Sequence, residues 1–285
     1  MFVKTRIYDR MEKLVRQPGS AGKFYSKQKG ILEREVAVFL ENSKPFTVPG
    51  KVFGMVVPHD PYIISGGVAA RAYRQIMDQE VDYVVVVSPS HHTYFEEISL
   101  FKGDYFATPL GRAKIDRDIV WQITNNHHNL ISSTLGFEND EHGIEIQLPF
   151  LQHVLYDYKL IPIVMGNQDG ENIEILSKAL SEVFKEKNVL MIASSNLSTS
   201  HPYEKARMID ESTITHIQDF ETKKLNEDYQ SGNAEMSGGG AVIAVMNACK
   251  NLGAKNAKVL LYRNSGDMGS SKTDVVGYMA ALFYS

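Results

Sequence analysis

The chain is 285 residues long, carries 30 Lys and Arg against 34 Asp and Glu for a formal net charge of −4, and is 43% hydrophobic. That length suits one large α/β or all-β unit, or a tightly fused pair, and the near-average composition excludes wholesale disorder, a collagen-like repeat and a disulfide scaffold. A mildly acidic chain has little to offer a phosphate backbone, so no nucleic acid partner is expected.

In chain order, the opening segment MFVKTRIYDRMEKLVRQPGS mixes charged and apolar residues and lacks the apolar run of a secretory signal. Helical spacing over 29–41 puts Ile31, Leu32, Val36, Phe39 and Leu40 on one face. A strand is predicted at 52–57, a helix at 66–79 with Ala69, Ala70, Tyr73 and Ile76 aligned, and a strand at 83–88. Gly103 to Gly111 reads as a strand end followed by a Pro-containing turn. Helices follow at 115–125 and 144–156, a strand at 160–165, a helix at 172–186 and a strand at 189–194. The charged span 204–226 is predicted as one amphipathic helix, 239–252 as an apolar helix and 258–262 as a strand. The alternation predicts an α/β fold, with a central, largely parallel or mixed sheet flanked by helices. Its near-continuous apolar strands are expected to be buried on both faces, and ligands are expected at their carboxyl ends. No repeat, linker or bilayer-length apolar run interrupts the chain, so a single domain with no membrane segment is expected. The lone cysteine, Cys249, cannot form an intramolecular disulfide. It is expected in the core of a cytoplasmic protein.

Histidine placement carries the chemistry. His59 follows the strand VFGMVVP, while His91 and His92 follow VVVVSPS. If those strands are neighbours, two imidazoles converge on one point, either as ligands of zinc, copper or iron or as loop residues bonded to backbone. In the cluster Asp140 to Pro149, His142 and Glu145 would share a helical face, as acid–base groups or as partners of metal-bound imidazoles. The acidic residues could equally complement a helix dipole. Ser194 to Tyr203 leaves a strand as a polar run that either caps a helix or lines a cleft. Ser237-Gly238-Gly239-Gly240 opens an apolar helix whose free amides could hold an anion, but the run lacks a phosphate-loop lysine and the full dinucleotide fingerprint, so no nucleotide cofactor is expected. Ser88-Pro89-Ser90-His91 is not a nucleophile elbow.

The segments PGSAGKFYS, PHDPYIISGGVAARAY, SPSHH, ATPLG, DEHGIEIQLPFL, ASSNLSTSHPY, SGGGAVIAV and NSGD followed by VVGYMAALF, in this order from about Pro18 to Phe283, resemble the MEMO family, also called the AmmeMemoRadiSam system protein B family. That family is similar in fold to class III extradiol dioxygenases that use non-haem iron. The resemblance implies one domain over 1–285 with residues 1–17 as an N-terminal extension. It also implies His59 and His91 as metal-site residues. The family's third position is a cysteine, and here it is Ser237; the family's Asp and His in Ser-Ser-Asp-Leu-Ser-His are here Asn196 and Thr199. A hydroxyl binds a soft or borderline metal far less well than a thiolate, and Thr cannot shuttle protons as imidazole can.

Glu235 and His201, each two residues from a lost group, are the nearest replacements. The reading implied is a MEMO-like protein whose dioxygenase-like cleft binds one Fe, Cu or Zn ion through His59 and His91. Asp60, Tyr62, His92, His142, Glu145, Asn196, Thr199, His201, Glu235 and Ser237 surround that cleft. The alternatives are a non-catalytic binding or scaffold protein with a degenerate site, and a metal-free hydrolase using Glu145, Glu141 or Asp60. A small molecule or peptide is the expected occupant, and family context suggests radical SAM and AMMECR1-like protein partners.

Overall fold

The β-branched runs become the middle of one sheet in a computed structural model that describes residues 13–77, 79–125 and 127–285. Along the chain run β1 (Val15–Arg16), α1 (Lys29–Glu41), β2 (Val52–Val57), α2 (Tyr62–Tyr73), β3 (Tyr83–Pro89), β4 (Ile98–Phe101), β5 (Tyr105–Thr108), β6 (Gly111–Lys114), α3 (Arg117–Thr124), β7 (Leu130–Ser133), α4 (Leu148–Val154), β8 (Lys159–Met165), α5 (Gly170–Phe184), β9 (Val189–Ser194), α6 (Tyr203–Gln218), α7 (Thr222–Ser231), α8 (Gly239–Asn251), β10 (Asn256–Asn264) and β11 (Gly277–Tyr284). Among the described residues, eight strands form a sheet in the order β10-β11-β2-β9-β3-β8-β4-β7, and β1, β5 and β6 form a smaller one. The inner four, β2, β9, β3 and β8, are parallel, with β11 and β4 antiparallel at their flanks. The sheet is therefore mixed. One group of helices, α1, α2 and α4, packs together on the sheet, and α5, α6, α7 and α8 form a second group. Nearly every inner-strand side chain is buried, which is why these strands read as unbroken apolar runs rather than alternating ones.

Several elements differ from the sequence reading. The helix predicted over 66–79 begins earlier, at Tyr62 directly after Pro61, and tightens into a 3-10 turn over Arg74–Ile76. Gln79 is not helical, and Asp78 lies outside the described residues. The long amphipathic helix over 204–226 is two helices, split where Phe220 takes φ 58° and buries its ring flat against Phe283, with centroids 5.2 Å apart. The 144–156 helix starts as a 3-10 turn over Glu145–Gln147 and becomes α-helical with Pro149 in its first turn, where a missing N–H costs nothing. The Pro-containing turn after Gly103 joins β5 to β6. β11, fully buried over seven of its eight residues, was not separated as a strand from the sequence. Cys249 is fully buried, and its sulfur would lie 2.6 Å from any Cβ placed at Gly54. It is core, with its thiol pushed upward by burial.

Of the expected N-terminal extension, residues 1–12 lie outside the described residues. Val15 and Arg16 pair with β5, and the Arg16 side chain is buried. One of its nitrogens meets the fully buried Glu145 carboxylate, and another donates to the carbonyls of Glu138 at 2.9 Å and Glu141 at 2.5 Å. Glu145 also accepts from the amides of Gly19 at 2.9 Å and Ser20 at 2.8 Å and from the Tyr25 hydroxyl at 2.5 Å. Removing the cation would strand a carboxylate in the interior. R16M is expected to cost about 3–5 kcal/mol in urea unfolding, and R16K to recover part of it by restoring charge without the planar fork.

Candidate metal centre

Parallel strands deliver their carboxyl ends to one edge of the sheet. β2 runs through Pro58 to His59, β3 runs through Ser90 to His91, and β9 lies between them and ends at Ser194, paired with Val57. The two predicted imidazoles therefore straddle one strand, and their Nε2 atoms stand 3.2 Å apart. His142, in the segment before α4, closes the group: one ring nitrogen from each of His59, His91 and His142 lies within 4.8 Å of the others. Its ring stacks between Phe24 (centroids 4.5 Å apart) and His91 (4.3 Å).

Hydrogen bonding decides which nitrogens face inward. The Ser194 hydroxyl must donate to the Gly143 carbonyl at 2.6 Å, and it accepts from Gln147 Nε2 at 2.8 Å. Gln147 is itself oriented, since its Nε2 also donates to the Pro58 carbonyl at 3.0 Å while its Oε1 accepts from Tyr73 at 2.9 Å. Ser194 Oγ can thus only accept from His59 Nδ1, 3.2 Å away, which puts the His59 proton on Nδ1 and a lone pair on Nε2. On the other side Glu141 accepts from His91 Nδ1 at 2.6 Å and from the amides of His91, His142 and Gly143 at 2.8, 3.0 and 3.2 Å. His91 therefore turns its Nε2 toward His59 Nε2. A cation between the two nitrogens, a proton or a metal ion, would hold them at this distance, and carboxylate- or hydroxyl-backed imidazoles are the usual support of metal ligands.

Burial, reinforced by the neighbouring His91 and His142, holds His59 well below the usual imidazole range. Burial, then His91, pushes His142 down to about 4. Burial alone would raise Glu141, but hydrogen bonding and charge from His91, with the Gly143 amide, outweigh it and leave that carboxyl below its ordinary value. Gly143 allows this approach: a Cβ there would sit 1.9 Å from Ser88 Oγ and 3.4 Å from His91 Cε1.

The remaining predicted residues divide by position. Ser237 Oγ lies 3.1 Å from His59 Nε2 and accepts from the Asn196 amide at 3.0 Å. Asn196 receives the His59 amide on Oδ1 at 3.1 Å and donates Nδ2 to Asp60 at 2.8 Å. Asp60 also accepts from Tyr278 at 2.5 Å, so its carboxylate braces the loop instead of standing free as a base. Tyr62 is buried in the core, donating to the Ile146 carbonyl at 2.6 Å. Glu145 faces Arg16, away from His142, because the backbone between them is not a regular helix. Glu235 does not join the three imidazoles; it receives His201 Nε2 at 2.8 and 3.0 Å. Thr199 is exposed, and His92 is half-exposed with Nε2 3.2 Å from the Asp140 carbonyl. Two amides of the glycine run are already occupied, Gly238 by Ser195 Oγ and Gly240 by Gln168 Oε1, which leaves them no anion to hold. Ser88 Oγ is buried and bonded to the Pro89 carbonyl. Sequence reading missed Gln147 and Ser194 as orienting groups. The one available signal was a polar residue ending an otherwise apolar strand.

Residues 16–282 match the family described as Memo-like protein. The chain is 34% identical over 271 residues to a MEMO1 family protein of Methanosarcina mazei, spanning 94% of this chain and 98% of that one. It is 33% identical over 284 residues to a MEMO1 family protein of Methanocaldococcus jannaschii, with the same coverage of each. In three dimensions it is similar to the crystal structure of an uncharacterized protein from Escherichia coli K12, with a TM-score of 0.54 at 12% identity over 81% of this chain and 99% of that one. A likeness at that identity speaks to the fold alone.

The depressed His142 has a pH signature. Between its folded value of about 4 and an unfolded value near 6.5, the unfolded chain binds more protons. Stability is therefore lost as pH falls from 6.5 towards 4 and is unaffected by this group above that window. In chelator-treated protein, urea unfolding at pH 7, 6 and 5 is expected to show a steeper fall in wild type than in H142Q. The difference should approach about 1.4 kcal/mol per pH unit at most.

Proposed function

The chain belongs to the Memo-like protein family, and from that premise we propose that it holds one transition-metal ion, Fe, Cu or Zn, through His59 and His91, with His142 as the third donor. A small molecule or peptide would reach the ion past the partly exposed His91 and His142. The observation that carries this reading is the 3.2 Å approach of two Nε2 atoms whose tautomers are set from behind. Two imidazoles bound to one tetrahedral ion at their ordinary bond lengths stand about 3.3 Å apart, so the spacing fits. A bound ion would supply Lewis acidity and, if iron or copper, one-electron chemistry. The protein's own part is to turn Nε2 of both rings inward, through Ser194 and Gln147 on one side and Glu141 on the other.

The departures from the family pattern favour a second reading, a binding or scaffold protein without turnover. Ser237 offers a hydroxyl where the family has a thiolate, Asn196 spends its amide on His59 and Asp60, and Thr199 is exposed, so none of these positions supplies a mobile proton. Loss of a catechol-type turnover in H91A would decide against that second reading. A cytoplasmic setting belongs to both, supported by the single buried cysteine. Among the described residues, no helix is long and apolar enough to cross a membrane. Radical SAM and AMMECR1-like partners are supported by the family resemblance.

After anaerobic purification, elemental analysis is expected to find about one ion per chain in wild type and none in H59A/H91A. No metal in wild type, or equal metal in both, would end the proposal. E141Q is expected to weaken Zn2+ binding by about 10–100-fold, since a neutral amide holds His91 less firmly. S237C should tighten binding of Zn2+ or Cu+ by adding a soft donor beside His59, measured by competition with a chromophoric chelator.

A further inference from the structure

The three imidazoles are not held alike. His59 is fixed through Nδ1 by Ser194 at 3.2 Å, and His91 through Nδ1 by Glu141 at 2.6 Å. For His142 the hydrogen bonds go to the backbone instead: its amide donates to Glu141 at 3.0 Å and its carbonyl accepts from the Ile146 amide at 3.0 Å. No side chain among the described residues backs its ring, and the Asp140 backbone offsets only part of the lowering that burial and His91 impose on it. What holds this ring is stacking. Its plane lies 23° from that of Phe24 and 30° from that of His91, with centroids 4.5 and 4.3 Å away, and it meets His59 nearly edge-on at 84° and 5.3 Å. One face is therefore covered by a fellow donor and the other by a phenyl ring that has no donor of its own.

Phe24 is brought to this place by bonds its side chain does not make. Its amide donates to the Ser20 carbonyl at 2.9 Å, its carbonyl accepts from the Tyr62 amide at 2.8 Å, and the turn that carries it passes through Gly22 at φ 87°. The next residue, Tyr25, is tied to Glu145. The half-buried phenyl ring can thus be changed without releasing the backbone beneath it. We propose that Phe24 is a positioning residue of the metal centre, clamping His142 flat against His91, and that His142 is the one adjustable donor of the three. This rests on the metal reading above and adds which of its donors is set by packing. A ring hydrogen-bonded from behind has one direction available to its free nitrogen, whereas a stacked ring can slide in its own plane until its neighbour stops it. An aromatic pair contributes little beyond its buried area, so losing the clamp corresponds to about 2–10-fold in metal affinity.

Competition for Co2+ against a chromophoric chelator, on the full chain, separates a clamp from general support of the fold. F24A and F24L are each expected to weaken binding about 2–10-fold and to shift the visible bands of the Co2+ protein, because neither offers a flat face, while F24Y is expected to match wild type in both. In an H142A background the F24A change should leave affinity and bands where H142A alone leaves them, since the ring it acts on is gone. If F24A binds like wild type, or weakens binding as much without His142 as with it, Phe24 does not act through His142 and the proposal falls. The metal reading survives that result as long as H59A/H91A still abolishes binding. A wild-type chain that takes up no Co2+ would overturn both.

Discussion

Two carboxylates four residues apart hold the site to the rest of the fold. Glu145 points inward to Arg16, to two amides of the segment after β1 and to Tyr25. Glu141 points to the His91 ring and to the backbone amides of His91, His142 and Gly143. The stretch between them carries His142 and Gly143, so the position of the third imidazole depends on both anchors. A fully buried carboxylate is tolerable only when its charge and lone pairs are matched, and here four donors meet Glu145. The N-terminal segment is consequently part of the machinery that presents His142.

The parallel centre of the sheet follows from simple chain logic. Strands delivered by crossover connections end on one edge, and the residues just beyond them are free of the sheet's packing demands. His59, His91 and Asn196 all occupy such positions. β9 between β2 and β3 sets the lateral separation of the two histidine-bearing strands, and its last residue, Ser194, is close enough to both the His59 ring and Gln147 to connect them.

Much of this was legible before any coordinates. Unbroken runs such as Val84 to Val87 announce strands covered on both faces, and histidines directly after them announce a polar edge. The family segments supplied His59, His91 and Ser237 together. What stayed hidden depended on direction and backbone detail. Spacing put His142 and Glu145 on one helical face, but the chain there is turn-like and sends them to different partners. The run from 204 to 226 has helical spacing throughout, and only the left-handed Phe220 breaks it. Glu235 could not be distinguished from a ligand until His201 was found against it. A glutamine in an apolar segment gives no hint that its amide orients the buried His59 imidazole through a serine.

That glutamine has a consequence for how the centre behaves in different surroundings. An amide does not ionise in water, so Gln147 and the serine it addresses keep the same donor pattern wherever the fold survives. The Nδ1 hydrogen of His59 is thereby placed by hydrogen bonding to groups that do not titrate. The orientation of this ring is then set by the sheet edge it stands on, with Nε2 turned inward.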